Sequence, residues 1–357
     1  MLRSLKLRQF RCFDSLVIDP GPGASMFVGE NAQGKTSILE SVCVLLRLQS
    51  PRTSGVADLV KFETSGFGIE GDLGDARLGF TYTPSGRKRM TVDGDAQRRR
   101  GDYLANSGLV VWMANDDLNL VRGGGDARRR YLDFIAAQVH PGYRIALRAY
   151  ERALRARNFL LKRDARPNWD QVGAYSQLLI EHGSVLTSVR RDLVESLSPW
   201  ADEAQGRVSG KSEPLGLRYQ AGGGDDLAAS LAAARDEESR RRQTLVGPHR
   251  DDVLLTLHGM PAAQFASEGQ QRTIALALKL AQGKLLAALR GQEPVMLLDD
   301  IFGELDPARR NALLGYLPEG AQKWITTTHL DWARGTAFES AAVFRVEAGA
   351  VAATGKP

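Results

Sequence analysis

Residues 29 to 36 read Gly29-Glu30-Asn31-Ala32-Gln33-Gly34-Lys35-Thr36, the spacing G-x-x-x-x-G-K-[ST]. Each fixed position does work on a phosphate chain. The glycines let the backbone wrap closely, so that successive N–H groups converge on an anion. Lys35 carries an ammonium to the terminal phosphates, and the Thr36 hydroxyl is a ligand for Mg²⁺. A second constellation lies far along the chain, where Val295-Met296-Leu297-Leu298-Asp299-Asp300 is an apolar run ending in two carboxylates. Hydrolysis of a bound nucleoside triphosphate needs one carboxylate to hold Mg²⁺, which falls to Asp299 with Thr36. It also needs a group that orients or deprotonates the attacking water, which falls to Asp300.

These residues need elements to aim them. Ser25-Met26-Phe27-Val28 is a short apolar run, read as a buried strand. Thr36 to Leu48 reads as a helix whose N-terminus faces the phosphates. Leu5 to Ile18 alternates and predicts two strands, Phe67 to Asp93 is strand-rich with glycine turns, and Leu109 to Trp112 and Val295 to Leu298 are further buried strands. Lys323 to Thr328 reads as one more. Ser267 has the chemistry of an N-cap for an apolar helix over Thr273 to Leu289, and a Ser-x-Gly turn at a helix N-terminus suits an anion. Between the Gly123-Gly124-Gly125 and Gly222-Gly223-Gly224 breaks the period turns helical from Asp126 to Trp200, and a further helix runs to Gln243. The predicted class is α/β: a nucleotide-binding head from residues 1–125 and 244–357, with a mainly helical lobe, 126–243, inserted between its halves.

Hydrophobic residues make up 43% of the 357, enough for a sizeable core. No run of about 18 apolar residues offers a membrane span. Met1 to Leu7 alternates apolar and basic and reads as a strand, not a signal peptide. Two cysteines, Cys12 and Cys43, lack metal-ligand spacing and fit a reduced, cytoplasmic protein. The net charge of +5 is uneven: residues 86–170 hold 18 basic and 10 acidic side chains. Arg87-Lys88-Arg89, Arg98-Arg99-Arg100 and Arg128-Arg129-Arg130 are runs. Arg144, Arg148, Arg152 and Arg155 form a helical stripe, and Arg157, Lys162, Arg163 and Arg166 follow. Arg240-Arg241-Arg242 is offset by Asp236, Glu237 and Glu238 within one helix. Guanidinium forks suit phosphates and carry no base code, so the pattern predicts sequence-independent contact with a nucleic acid backbone.

Ser267-Glu268-Gly269-Gln270-Gln271-Arg272, about 25 residues before the Asp299-Asp300 strand end, resembles the signature motif of ABC-type ATPase heads. Gly303-Glu304-Leu305-Asp306 resembles their D-loop, and His329 stands where their switch histidine contacts the γ-phosphate. The set narrows further with Leu7-Arg8-Gln9-Phe10-Arg11-Cys12-Phe13, Ser50-Pro51-Arg52-Thr53, Arg128 to Asp133 and Gly247-Pro248-His249-Arg250-Asp251-Asp252. In content and order, over nearly the whole chain, it resembles the RecF family of bacterial recombination mediators, relatives of SMC-type ATPases. The resemblance implies ATP and Mg²⁺ bound by Gly29 to Thr36 and by Asp299. It implies slow, DNA-stimulated hydrolysis using Lys35, Asp300 and His329, and a signature (Ser267, Gly269, Gln270) that completes the site of a second subunit, with Asp306 in the D-loop. It further implies an ATP-dependent homodimer on duplex DNA at single-strand gaps, held by Arg128, Arg129, Arg130, Arg144, Arg148, Arg152 and Arg155. RecR and RecO are the implied partners in loading recombinase. Two positions depart from the pattern: Trp112 to Leu118 contains no Gln-loop glutamine, nor the proline usual in RecF chains, and Asp300 stands where most ABC heads have Glu. Two rival readings are an ABC transporter ATPase subunit and a non-catalytic nucleotide-sensing scaffold. The basic helical insertion and the Gly247–Asp252 segment disfavour the first, and the joint presence of Lys35, Asp299 and Asp300 disfavours the second.

Overall fold

The computed structural model describes residues 1–163 and 167–355, so Arg166 lies outside the described residues. The chain divides into two compact units. One comprises Met1–Asp117, Arg207–Gly210 and Gln282–Pro357, and the other Leu118–Gly206 and Lys211–Ala281.

The first unit holds two six-stranded sheets. One is antiparallel, in spatial order Phe13–Ile18, Ser4–Phe10, Phe67–Asp72, Arg77–Tyr82, Lys88–Val92, Asp95–Gln97. The other runs Ala350–Gly355, Ala342–Glu347, Ala24–Val28, Lys323–Thr327, Val295–Asp299, Val110–Ala114, and all its pairings except the first are parallel. Central parallel strands are covered on both faces, which is why they read as unbroken apolar runs and not as alternation. Phe27 in the middle strand stacks on Trp324 at 5.3 Å and on Phe344 at 5.2 Å, one from each neighbouring strand. The helix Lys35–Arg47 packs on strands of both sheets and is buried along nearly its whole length. It ends where Leu48 turns left-handed, at φ 53°, and returns its N–H to the Val44 carbonyl.

The second unit is mainly helical, as the 3.6-residue period requires: Gly125–Val139, Tyr143–Arg163 and the long Trp169–Ser209 form its body. Its boundaries depart from those expected at Gly125 and Thr244. A three-stranded antiparallel sheet, Leu215–Gln220 with Asp252–Leu257 and Met260–Pro261, pairs residues beyond 244 with residues inside the lobe. Tyr131 also donates to the Leu278 carbonyl at 2.6 Å, tying the middle of the helix Glu268–Arg290 to Gly125–Val139. Glycine breaks in the sequence do not reveal such pairing. The expected helix to Gln243 is two short ones, Leu227–Ala233 and Arg235–Arg241.

The Gly247–Asp252 segment has a structural role here. Buried Asp251 accepts from Arg190, from the Tyr219 hydroxyl and from the Gly222 N–H. Arg190, itself buried, also donates to Asp133, the Tyr143 hydroxyl and the Pro248 carbonyl. His249 bonds the Tyr150 hydroxyl at 2.7 Å and the Thr244 carbonyl, and burial pushes its pKa down to about 4.

Candidate active site

Four parallel strands of the first unit end on one edge of their sheet, the edge where α/β folds place their ligands. Ala24–Val28 delivers the Gly29–Thr36 loop, Val295–Asp299 delivers Asp299 and Asp300, Lys323–Thr327 delivers Thr328 and His329, and Val110–Ala114 delivers Asn115. The register pairs Asp299 with Thr326 on one side and with Ala114 on the other.

The loop is glycine-dependent for steric reasons. A Cβ on Gly29 would lie 2.2 Å from the Val346 carbonyl oxygen. One on Gly34, whose φ is +108°, would lie 2.6 Å from Cys12 Sγ. Ala32 is also left-handed, at φ 65°, so the loop coils its N–H groups inward as anion-binding nests do. The Gln33 side chain fastens the loop by accepting the Ala348 N–H at 2.6 Å. Lys35 is buried, and its ammonium donates to the Gly29 and Glu30 carbonyls at 2.6 and 2.8 Å. Burial lowers its pKa, and the carboxylates of Asp300 and Asp299 oppose that shift.

Asp299 Oδ1 accepts from the Thr36 hydroxyl at 2.8 Å and from the Thr326 hydroxyl at 2.7 Å. Burial raises the Asp299 pKa, and these two bonds work against it. Thr326 Oγ1 in turn accepts the Asp300 N–H at 2.9 Å, so one hydroxyl ties both carboxylate residues to the neighbouring strand. Asp300 is half-buried with φ 51°, and Asn115 Nδ2 donates to its carbonyl at 3.4 Å and to Glu304 Oε1 at 2.8 Å. His329 is exposed one residue past Thr328, with its backbone carbonyl held by the Thr327 hydroxyl at 2.9 Å. Thr36 and Asp299 thus present a hydroxyl and a carboxylate side by side, hard oxygen donors that fit Mg²⁺. The structure brings Lys35, Thr36, Asp299, Asp300 and His329 to one sheet edge within one unit.

The other expected residues are placed differently. Asp306 caps the helix Pro307–Tyr316, accepting the Arg309 N–H at 3.0 Å and pairing with the Arg309 guanidinium. Ser267 belongs to the second unit. It caps its helix reciprocally with Gln270: the Gln270 N–H reaches Ser267 Oγ at 3.3 Å and the Ser267 N–H reaches Gln270 Oε1 at 2.8 Å. Gln270 also donates to Glu213, and the Gly269 carbonyl accepts from Thr273. This helix starts at Glu268, earlier than its apolar stretch suggested, because capping and not apolarity sets the first turn.

The basic surface needs correction. Arg128 makes a fork to Asp252 (2.6 and 2.9 Å) and donates to the Leu120 and Gly123 carbonyls. Arg129 donates to the Asp251 carbonyl. Both are engaged within the fold, and the sequence hid this because Asp251 and Asp252 lie more than 100 residues away. Arg157 is buried against Glu238 at 2.6 Å, so Glu238 does not offset its own helix's arginines, a task left to Glu237. Arg130, Arg148, Arg152 and Arg155 are exposed, Arg130 beside Asp126. Thr326 and Asn115 were missed as site residues. The signal for Thr326 was a polar run, Thr326-Thr327-Thr328, closing a strand otherwise as apolar as its neighbours. For Asn115 the signal was only its place one residue beyond a buried strand.

A family model described as an AAA domain matches residues 4–140. The DNA replication and repair protein RecF of Rippkaea orientalis is 36% identical over 98% of this chain and 99% of its own length. The recombination mediator protein RecF, solved as RecF-ATPrS in the RecFOR pathway, superposes with a TM-score of 0.89 at 28% identity, covering 99% of this chain and 98% of that one. An Smc head bound to the C-winged helix domain of ScpA matches at TM-score 0.56 and 16% identity, over 99% and 97%, a likeness of fold alone. With an ABC-type P-loop head, a mainly helical second unit and full-length identity of this order, the chain belongs to the RecF family.

Proposed function

We propose that this protein is a DNA-repair ATPase whose affinity for DNA is switched by ATP-dependent dimerisation. The observation that carries the reading is the joined Thr36–Asp299–Thr326 arrangement with Asp300 beside it, set against a P-loop whose lysine is buried. ATP is the substrate. The inward N–H groups of Gly29 to Thr36 receive its phosphates, and Lys35 exchanges the Gly29 and Glu30 carbonyls for phosphate oxygens. Thr36 and Asp299 hold Mg²⁺, which when bound neutralises charge on the phosphate chain. Asp300 orients the attacking water and His329 faces the γ-phosphate.

Ser267, Gly269 and Gln270 complete the site of a second copy, with the Ser267 hydroxyl donating in trans, and Asp306 lies in the D-loop at the same interface. ATP then holds two protomers together, and slow, DNA-stimulated hydrolysis releases them. The DNA contact is proposed for the exposed arginines Arg130, Arg148, Arg152 and Arg155 with the partly buried Arg144, which suit the backbone of duplex DNA next to a single-strand gap. Arg128 and Arg129 support that surface from within. Co-operation with RecR and RecO in loading recombinase follows from family membership and the RecFOR setting of the solved relative. The test is a gel-shift series with duplex, gapped and single-stranded DNA, with and without ATP. Strongest retention of gapped duplex, dependent on ATP, is expected; ATP-independent binding that ignores strandedness would refute the switch.

A further inference from the structure

Asp300 is the hinge of the site's chemistry, and its backbone is left-handed at φ 51°. A non-glycine residue holds that conformation only when its neighbours enforce it. Two side chains do so, one from each flanking strand. Thr326 takes the N–H of Asp300 at 2.9 Å. On the other side Asn115, one residue past the strand Val110–Ala114, approaches the carbonyl of Asp300 at 3.4 Å. The same Asn115 amide donates to Glu304 Oε1 at 2.8 Å. Glu304 closes the 3-10 turn Phe302–Glu304, two residues before Asp306. One primary amide, with two N–H donors on one nitrogen, thus spans both ends of the Asp300–Glu304 turn.

We infer that Asn115 is a positioning residue for hydrolysis: it latches the turn from Asp300 to Glu304 to the end of the adjacent strand and so fixes where the Asp300 carboxylate points. The inference rests on the reading of Asp300 as the water-orienting group. The latch depends on an N–H donor at this position. Because Asn115 acts through Asp300 and not on the nucleotide, its loss slows turnover and leaves ATP binding alone. Removing Asn115 takes away both bonds, whereas removing Glu304 takes away the 2.8 Å bond and leaves the approach to the Asp300 carbonyl.

The test is steady-state ATP hydrolysis together with binding of a fluorescent ATP analogue, on the full chain, for Asn115→Ala, Asn115→Gln, Glu304→Ala, the Asn115→Ala/Glu304→Ala double variant and Asp300→Asn. Losing a restraint of about one hydrogen bond predicts a fall in kcat of about tenfold for Asn115→Ala. KM and analogue affinity are expected to stay unchanged, Asn115→Gln to recover part of the rate because it keeps the donor, and the double variant to lose less than the product of the two single losses. Wild-type kcat in Asn115→Ala beside an inactive Asp300→Asn overturns the positioning role alone. A raised KM at unchanged kcat overturns it in favour of a nucleotide contact, and losses that multiply in full in the double variant overturn the coupling of Asn115 to Glu304. Wild-type turnover in Asp300→Asn overturns both the latch and the reading of Asp300 on which it stands.

Discussion

Thr326→Val is the sharpest perturbation of the site, because valine keeps the shape of threonine and removes only its hydroxyl. Thr326 is fully buried, so water cannot replace what is lost. Two bonds go: the 2.7 Å donation to Asp299 and the 2.9 Å acceptance from the Asp300 N–H. The first favours the ionised carboxylate. A hydrogen bond to a charged group contributes about 1.5–3 kcal/mol, and 1.36 kcal/mol corresponds to one pKa unit. Burial already raises the Asp299 pKa, and losing this bond raises it further. In the role proposed for it Asp299 holds Mg²⁺ only when ionised, so activity is lost as pH falls through its pKa. The acid limb of kcat against pH therefore moves upward in Thr326→Val and returns in Thr326→Ser, which keeps the hydroxyl. The second loss leaves the Asp300 N–H unpaired, which costs about 1–3 kcal/mol of stability and lowers the plateau rate as well. Phosphate release measured across pH separates the two effects. A plateau that drops while the acid limb stays in place would refute the claim that Thr326 sets the ionisation of Asp299.

Three further outcomes are expected. Ser267→Arg leaves ATP binding by the monomer intact and abolishes ATP-induced dimers in sedimentation. Mixed with Lys35→Met it recovers part of the activity, because only a heterodimer has a composite site with both motifs intact; no recovery in the mixture would sink the trans site. Changing Arg144, Arg148 and Arg152 together to Ala reduces the salt dependence of DNA affinity by about three units of log–log slope and leaves DNA-free ATP hydrolysis in place. An unaltered slope would assign that stripe to another partner. His249, with its pKa pushed from 6.5 to about 4, stays neutral in the fold while the unfolded chain takes up the proton. Unfolding free energy therefore falls as pH drops from about 6.5 to about 4, by roughly 3 kcal/mol at 1.36 kcal/mol per unit. Chemical denaturation of wild type against His249→Asn across that range checks the slope, and parallel curves would contradict it.

The nucleotide edge was legible in the sequence because its parts are local. A P-loop, an apolar strand ending in Asp299-Asp300 and a strand ending before His329 each declare themselves within ten residues, and parallel pairing then brings their carboxyl ends together. What stayed hidden depends on partners distant in sequence. Thr326 is an ordinary strand residue until the register sets it beside Asp299. Arg128 and Arg129 looked like surface charge until Asp251 and Asp252 arrived from the other end of the lobe. The lobe boundary was misjudged for the same reason: Asp252–Leu257 joins Leu215–Gln220 across a glycine break that local composition reads as an end. Length and periodicity locate elements, while commitment of a charge to the interior is a tertiary fact.

The buried guanidinium of Arg190 has a genetic meaning. It serves helix Gly125–Val139 through Asp133, helix Tyr143–Arg163 through the Tyr143 hydroxyl, and the Gly247–Asp252 segment through Asp251 and the Pro248 carbonyl. A lysine puts its three donors on one nitrogen and cannot reach those directions at once. An allele with lysine at this position therefore behaves as a null, lowering the amount of protein in the cell. In the proposed reading, alleles at the exposed arginines Arg148 and Arg152 leave the protein abundant and impair its hold on DNA. Two arginine changes about forty residues apart then differ in how much protein remains, and a screen that scores protein level beside repair proficiency sorts them without any purified enzyme.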